Sequence, residues 1–261
     1  MKDKLTEKIV AFPQHGLLRT KAQALIKEAM KMGANLVGGV DPATVDNNIE
    51  KSLNKMMEIA VEANADIDMH LHDAEQLGTY TMKRLAALTE EAGWQGRVTI
   101  SHALRLGDVS KEEAAEMAER LAERGMDITT TVPINRNITP VPLLKQKGVK
   151  ISLGNDSITD QWAPFGKADM LQKAKRLAEK YRWMDENSLA KALQYITGGK
   201  TTLDQQGNQQ WPKIGDKANI VFTQATCSAE AIARQTKRCA VLYKGNVVAG
   251  SLEKTAINNL V

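Results

Sequence analysis

The sequence predicts an α/β fold with a parallel sheet, of the (β/α)₈ TIM-type barrel class, followed by a small β-rich appendage. Three observations predict it. Six short β-branched or apolar runs recur at roughly 30-residue spacing, each followed by a charged stretch with helical periodicity. Single helices between strands at that spacing make right-handed βαβ units. Polar residues capable of chemistry come at or just past the C-terminal ends of the runs, the positions that ring one face of a barrel. A dinucleotide-binding sheet would need GxGxxG after its first strand, and Phe12-Pro13-Gln14-His15-Gly16 is no such loop. A phosphate-binding Walker motif is also absent from the sequence.

In chain order, the predicted strands are 8–12 (KIVAF), 35–40 (NLVGGV), 66–70 (DIDMH), 97–102 (RVTISH), 127–132 (DITTTV) and 149–153 (VKISL). The predicted helices are 21–32, 46–64, 75–92, 110–124, 140–147 and 167–181. Gly33, Gly96, Gly125 and Gly148 stand where a helix end needs a left-handed residue. Ser110 followed by Glu113 has capping-box spacing. Beyond about residue 186 the pattern changes. A helix at 187–197 leads into a Thr/Gln/Asn/Gly stretch and then short strands at 218–222, 239–243 and 247–249. Lys244-Gly245-Asn246 joins the last two as a hairpin. The expected division is residues 1–200 for the α/β body and 201–261 for the β-rich remainder.

Composition narrows the function classes. The chain has 261 residues, 43% hydrophobic and 25% charged, an ordinary globular composition. Its net charge of +4 is scattered over helix faces and aromatics make up only 4%, which disfavours nucleic-acid binding. No apolar run approaches the ~20 residues of a membrane span, and the N-terminal MKDKLTEK carries no secretory h-region. A cytoplasmic location is expected, with Cys227 and Cys239 as buried free thiols. The 11 methionines lie mostly at helical spacing and read as core, and the basic helix 171–182 reads as a solvated face.

Only four histidines are present, and three fall within 33 residues. His70 and His72 are two apart at a strand end, so both face one side, a common way to offer two imidazoles to a divalent metal. Two half-exposed histidines at a strand terminus would have the same spacing. His102 ends the next strand, within reach of His70, or serves as a hydrogen-bonded structural residue. Asp156, in Gly154-Asn155-Asp156-Ser157, follows the last run and either ligates metal or caps the next turn. His, His and Asp at strand ends together describe metal-activated water with a carboxylate base. Gln14 could bind a heterocyclic amide from both donor and acceptor, or a neighbouring loop.

These motifs, in this order, resemble the amidohydrolase superfamily, specifically its cytosine deaminase and N-isopropylammelide amidohydrolase branch. The matching residues are 9–14 (IVAFPQ), 68–73 (DMHLHD), 98–102 (VTISH), 153–156 (LGND) followed by Asp160-Gln161-Trp162, and 215–221 (GDKANIV). The resemblance implies hydrolytic deamination of an amino- or alkylamino-substituted pyrimidine or triazine, dependent on zinc or iron. It implies metal ligation by His70, His102 and Asp156, with Asp156 also the base and His102 beside the tetrahedral centre. It implies Gln14, His72, Asn155 and Trp162 as substrate contacts, and His72 or Asp73 as proton donor. Asp73 stands where cytosine deaminases carry Glu, and Ser157 where they carry an acidic residue, which points away from cytosine itself.

By the resemblance the six strands are strands three to eight, making the barrel incomplete. The family's first-strand HxH has no counterpart upstream of Gln14, so weak metal binding and a missing N-terminal part are expected. Open edges at 8–12 and 149–153 would expose an apolar interior and call for a second copy or a complementing chain. The alternative function is an inactive fragment serving as an assembly subunit. A Schiff-base lyase is disfavoured because no Lys ends a strand run.

Overall fold

The structure is a computed structural model and describes residues 3–159 and 164–252. The chain divides into two compact units, Lys8–Ser152, and Met1–Glu7 with Leu153–Val261.

The Lys8–Ser152 unit is built on β1 (Val10–Ala11), β2 (Leu36–Val40), β3 (Asp66–Leu71), β4 (Val98–His102) and β5 (Asp127–Thr130). The sheet continues into β6 (Ile151–Leu153), in the order β1-β2-β3-β4-β5-β6, with β1 and β6 at its ends. The pairs from β1 to β5 are parallel. The helices α1 (Ala22–Lys31), α2 (Ile49–Ala63), α3 (Glu75–Glu91), α4 (Lys111–Glu123) and α5 (Val141–Gln146) alternate with the strands. Every predicted strand and helix of this unit is present. The first, fifth and sixth strands are shorter than expected. β5 stops at Thr130, ahead of Pro133, which has no N–H to continue a ladder.

Strand alternation decides what each face presents. Along β3, Ile67, Met69 and Leu71 are fully buried while Asp66, Asp68 and His70 are half-exposed. Ile67, Met69, Ile100 and Ile128 share the buried face, and Leu53 and Met56 of α2, Leu85 of α3 and Leu121 of α4 are fully buried as well. A Cβ on Gly39 would stand 2.4 Å from Met69 Sδ and 2.5 Å from Met56 Sδ, so sheet and α2 meet here without room for a side chain.

The opposite face corrects the expectation of an apolar interior. The register aligns Gly38, Asp68, Thr99 and Asp127 in one row and Val40, His70, Ser101 and Thr129 in the next. From β3 to β5 this face is polar, because polar residues alternate with apolar ones along each run. Ser101 donates its hydroxyl hydrogen to Asp68 at 2.7 Å across the β3–β4 boundary.

Local signals behave as the sequence suggests. Ser110 caps α4 by accepting the Glu113 N–H at 3.1 Å. Gly33, Gly96, Gly125 and Gly148 all take positive φ. The turn after β1 is pinned by Asp46, whose carboxylate accepts the N–H groups of Leu17 (3.2 Å) and Leu18 (2.9 Å) and the Ser52 hydroxyl (2.6 Å).

The second unit contains α6 (Met170–Lys180), α7 (Glu186–Lys191), α8 (Ser228–Arg234) and an antiparallel sheet of β7 (Ile220–Thr223), β8 (Arg238–Tyr243) and β9 (Asn246–Gly250). Leu171, Ala174, Ala178, Ala192 and Ile232 form its helical core, with Trp183, Leu189, Leu193 and Ile196 packed against them. Lys244 (φ 51°) and Gly245 (φ 83°) form the two-residue hairpin turn, both left-handed as a primed turn requires. The hairpin lies where the sequence predicts it, whereas α8 has no predicted counterpart. The cysteines depart from the expected burial. Cys227 is exposed, its Sγ accepting the Glu230 N–H at the start of α8, and Cys239 is half-buried on β8. Among the described residues, no helix is long and apolar enough to cross a membrane.

Candidate metal and catalytic site

The three clustered histidines converge at the C-terminal ends of β3 and β4. His70 lies on the polar face, its Nε2 3.8 Å from Asp68 Oδ1 and its ring centroid 4.7 Å from that of Phe12. His72, one residue past β3, keeps the same side by alternation, and its ring centroid is 6.4 Å from that of His70. His102 reaches the cluster by another route. The register pairs it with Leu71, so strict alternation would aim it at the buried face, while Ser101 is the partner of His70. The backbone leaves the strand at His102 with φ 73°, followed by Ala103 at φ 48°. The His102 ring then lies 5.0 Å from that of His70 and 4.1 Å from that of His72. Left-handed φ at non-glycine residues clusters at functional sites because the surroundings must hold it. Here the Thr130 and Thr139 hydroxyls both donate to the His102 carbonyl at 2.9 Å, anchoring the bend.

Two aspartates lock the loops around His72 reciprocally. Asp41, directly after β2, accepts the backbone N–H groups of His72 and Asp73 on Oδ1, the latter at 3.0 Å. Its Oδ2 faces His72 Nδ1 at 2.9 Å. Asp73 returns the contact, accepting the N–H groups of Ala43 (3.0 Å) and Thr44 (3.2 Å) and the Thr44 hydroxyl (2.6 Å). Asp73 is 2% exposed, and its carboxylate also holds the neighbouring loop. Burial works against ionisation of Asp41, but the His72 ring and the two backbone N–H groups outweigh it and hold its carboxyl below the usual range.

His70 and His102 offer ring nitrogens within 4.8 Å of one another. Two imidazoles that close suit a divalent metal, whose nitrogen ligands sit about 2.0–2.1 Å from the ion. Gln14 is exposed in the turn after β1. In the second unit, Asn155 donates its amide to Met170 Sδ at 3.0 Å. Asp156 is exposed at φ 63°, three residues beyond β6. Asp156 also acts on Lys173 of α6, whose pKa is pushed down by burial and by Arg176 while Asp156 pulls it up. Lys173, Lys175 and Arg176 are all half-buried, so α6, read as a solvated face, is exposed only at Glu179 and Lys180. Trp162 and the neighbouring Asp160 and Gln161 lie outside the described residues.

Sequence reasoning missed Asp41. Its signal was available, since Asp41 follows the run NLVGGV as Gln14 and Asp156 follow theirs.

Comparison with known proteins finds relatives that match nearly the whole of this chain. It is 41% identical over 245 residues to the Escherichia coli K12 protein YahJ, covering 94% of this chain and 53% of that one. It is 34% identical over 250 residues to N-isopropylammelide isopropyl amidohydrolase of Pseudomonas sp. strain ADP, covering 95% of this chain and 62% of the relative. The crystal structure of N-isopropylammelide isopropylaminohydrolase from Burkholderia multivorans superposes with a TM-score of 0.84 at 32% identity, covering 93% of this chain and 62% of that one. The chain therefore spans between about half and three-fifths of the length of these relatives. The profile of the amidohydrolase family matches residues 5–249, nearly the whole sequence, and the chain belongs to that family.

Proposed function

We propose that this chain carries the site of a metal-dependent hydrolase that cleaves an exocyclic C–N bond of an amino- or alkylamino-substituted heterocycle, a pyrimidine or triazine. The observation that carries the reading is the convergence of His70, His72 and His102 at the C-terminal ends of neighbouring parallel strands. The relatives named for N-isopropylammelide support the substrate class. In this reading the six strands are the last six of a (β/α)₈ barrel, residues 1–200 belong to it and 201–261 to the β-rich part. The working assembly is a homo-oligomer or includes a complementing chain, in the cytoplasm.

A divalent metal, zinc or iron, held by His70, His102 and Asp156, supplies Lewis-acid activation of the hydrolytic water when bound. With these three ligands its affinity is modest. Asp156 takes the proton of the attacking water, and His102 steadies the tetrahedral centre at the ring carbon. His72 accepts the second proton of the water at Nε2 and delivers it to the departing amine, a role in which Asp73 serves through the loop it anchors or as the donor itself. Gln14, Asn155 and Trp162 hold the ring. Such proton transfers contribute on the order of 10²–10⁴ in rate.

The test combines metal analysis with ammonia or alkylamine release from a panel of aminopyrimidines and aminotriazines. His70→Ala and Asp156→Ala are expected to lose both metal and turnover. A folded chain that binds zinc or iron no better than His70→Ala and releases no amine would sink the reading and favour a structural subunit.

A further inference from the structure

The geometry points to Asp41 as a positioning residue for His72, its carboxylate fixing which ring nitrogen carries hydrogen and which way the ring faces. The inference rests on the reading of His72 as a proton-carrying group of the site. Asp41 is 8% exposed and sits at φ 32°, a conformation uncommon for a residue with a side chain. Its own N–H donates to the His70 carbonyl at 3.1 Å, tying it to the strand that bears the histidines. One carboxylate oxygen is committed to the backbone of His72 and Asp73, and the other meets His72 Nδ1 at 2.9 Å. An ionised carboxylate only accepts, so the hydrogen in that contact belongs to the ring. A neutral His72 is then protonated on Nδ1 and presents its lone pair on Nε2, the ring nitrogen turned away from Asp41. The backbone contacts matter as much as the ring contact. They hold the carboxylate and the main chain of His72 in one frame, so the ring cannot turn without breaking a hydrogen bond.

A second ring limits the motion from the other side. The His102 centroid lies 4.1 Å from that of His72, with the planes tilted by 42°. Asp73, buried and bound to Ala43 and Thr44, keeps the Asp41 loop from drifting away from β3. The carboxylate, the ring and the two loops thus form one unit that fixes the orientation of the His72 ring.

The tautomer is measurable without turnover. The full chain is labelled with ¹⁵N-histidine and its long-range ¹H–¹⁵N correlations are recorded above the histidine titration range, His72 being assigned by its loss in His72→Gln. Wild-type His72 is expected with Nδ1 protonated and Nε2 bare. Asp41→Asn keeps the oxygen that serves the backbone but turns an amide N–H toward the ring, so the hydrogen is expected to move to Nε2. A wild-type His72 protonated on Nε2, or an unchanged tautomer in Asp41→Asn, overturns the inference. Where Asp41→Asn does not fold, the wild-type spectrum decides. In a preparation with measurable hydrolysis, Asp41→Asn should lower kcat on the order of 10²- to 10⁴-fold with a smaller change in KM, and an unchanged kcat also overturns it. A wild-type chain without hydrolysis counts against the proposed function and leaves the tautomer measurement standing.

Discussion

His102 illustrates how much a single backbone angle decides. By register it belongs with Leu71 on the buried face, and only its left-handed φ of 73° brings its ring to the other two histidines. The sequence names the three histidines through their position at strand ends, and His70 and His72 follow from alternation alone. The bend at His102 depends on two threonine hydroxyls arriving from residues 130 and 139, which no local pattern announces. Asp73 makes the same point for a carboxylate. Its place beside a histidine suggests chemistry, yet its oxygens serve Ala43 and Thr44. Asp73→Ala would leave those donors without their acceptor. Urea denaturation is expected to show a loss of about 1.5–3 kcal/mol, the range for hydrogen bonds to a charged group.

At the scale of elements, helices were legible because their apolar period, caps and glycine stops agree. Strand lengths were less so, since a run of apolar residues does not say where its neighbour stops pairing. Gly38 shows what close pairing demands. A Cβ there would lie 2.7 Å from the Ala11 carbonyl oxygen and 3.0 Å from Phe12 Cα, both backbone atoms of the segment carrying β1. Gly38→Ala is therefore expected to cost about 1–3 kcal/mol and to loosen the β1–β2 pair, read by hydrogen exchange at Leu36 and Val37. In the second unit, Asp185 caps α7 and accepts the Ser188 N–H at 2.9 Å. The Ser188 side chain and backbone together hold its carboxyl below the usual range. A depressed folded pKa stabilises above the unfolded value, and that contribution disappears as pH falls through the folded one. Thermal melts from neutral pH down to about pH 2 should thus show a shallower acid decline in Asp185→Asn than in the wild type.

At the scale of the whole molecule, the alternation along β3 to β5 separates a dry face from a polar one. Burial of Ile67, Met69, Ile100 and Ile128 supplies the core, while Asp68, Thr99, Ser101 and Asp127 put polar groups on the other face. A metal that binds only the folded chain stabilises it by mass action, about 2.7 kcal/mol at a free concentration 100 times Kd. For a chain of this size that raises Tm by roughly 5–10 °C. Zinc added to the wild type should produce such a rise, and His70→Ala should abolish it. An equal rise in both proteins would mean that the histidine cluster is not where the metal goes.

The sequence by itself determined the βαβ rhythm, the hairpin near the C-terminus and the histidine positions, because each is written in short-range period or spacing. The tertiary structure alone decided which residues those histidines meet. It brought Asp41, 31 positions from His72, onto the imidazole, turned Asp73 inward, and made the open face of the sheet polar. The reason is physical: periodicity fixes the side on which a residue emerges, but hydrogen-bond partners across neighbouring loops are set by strand register and a few left-handed backbone angles.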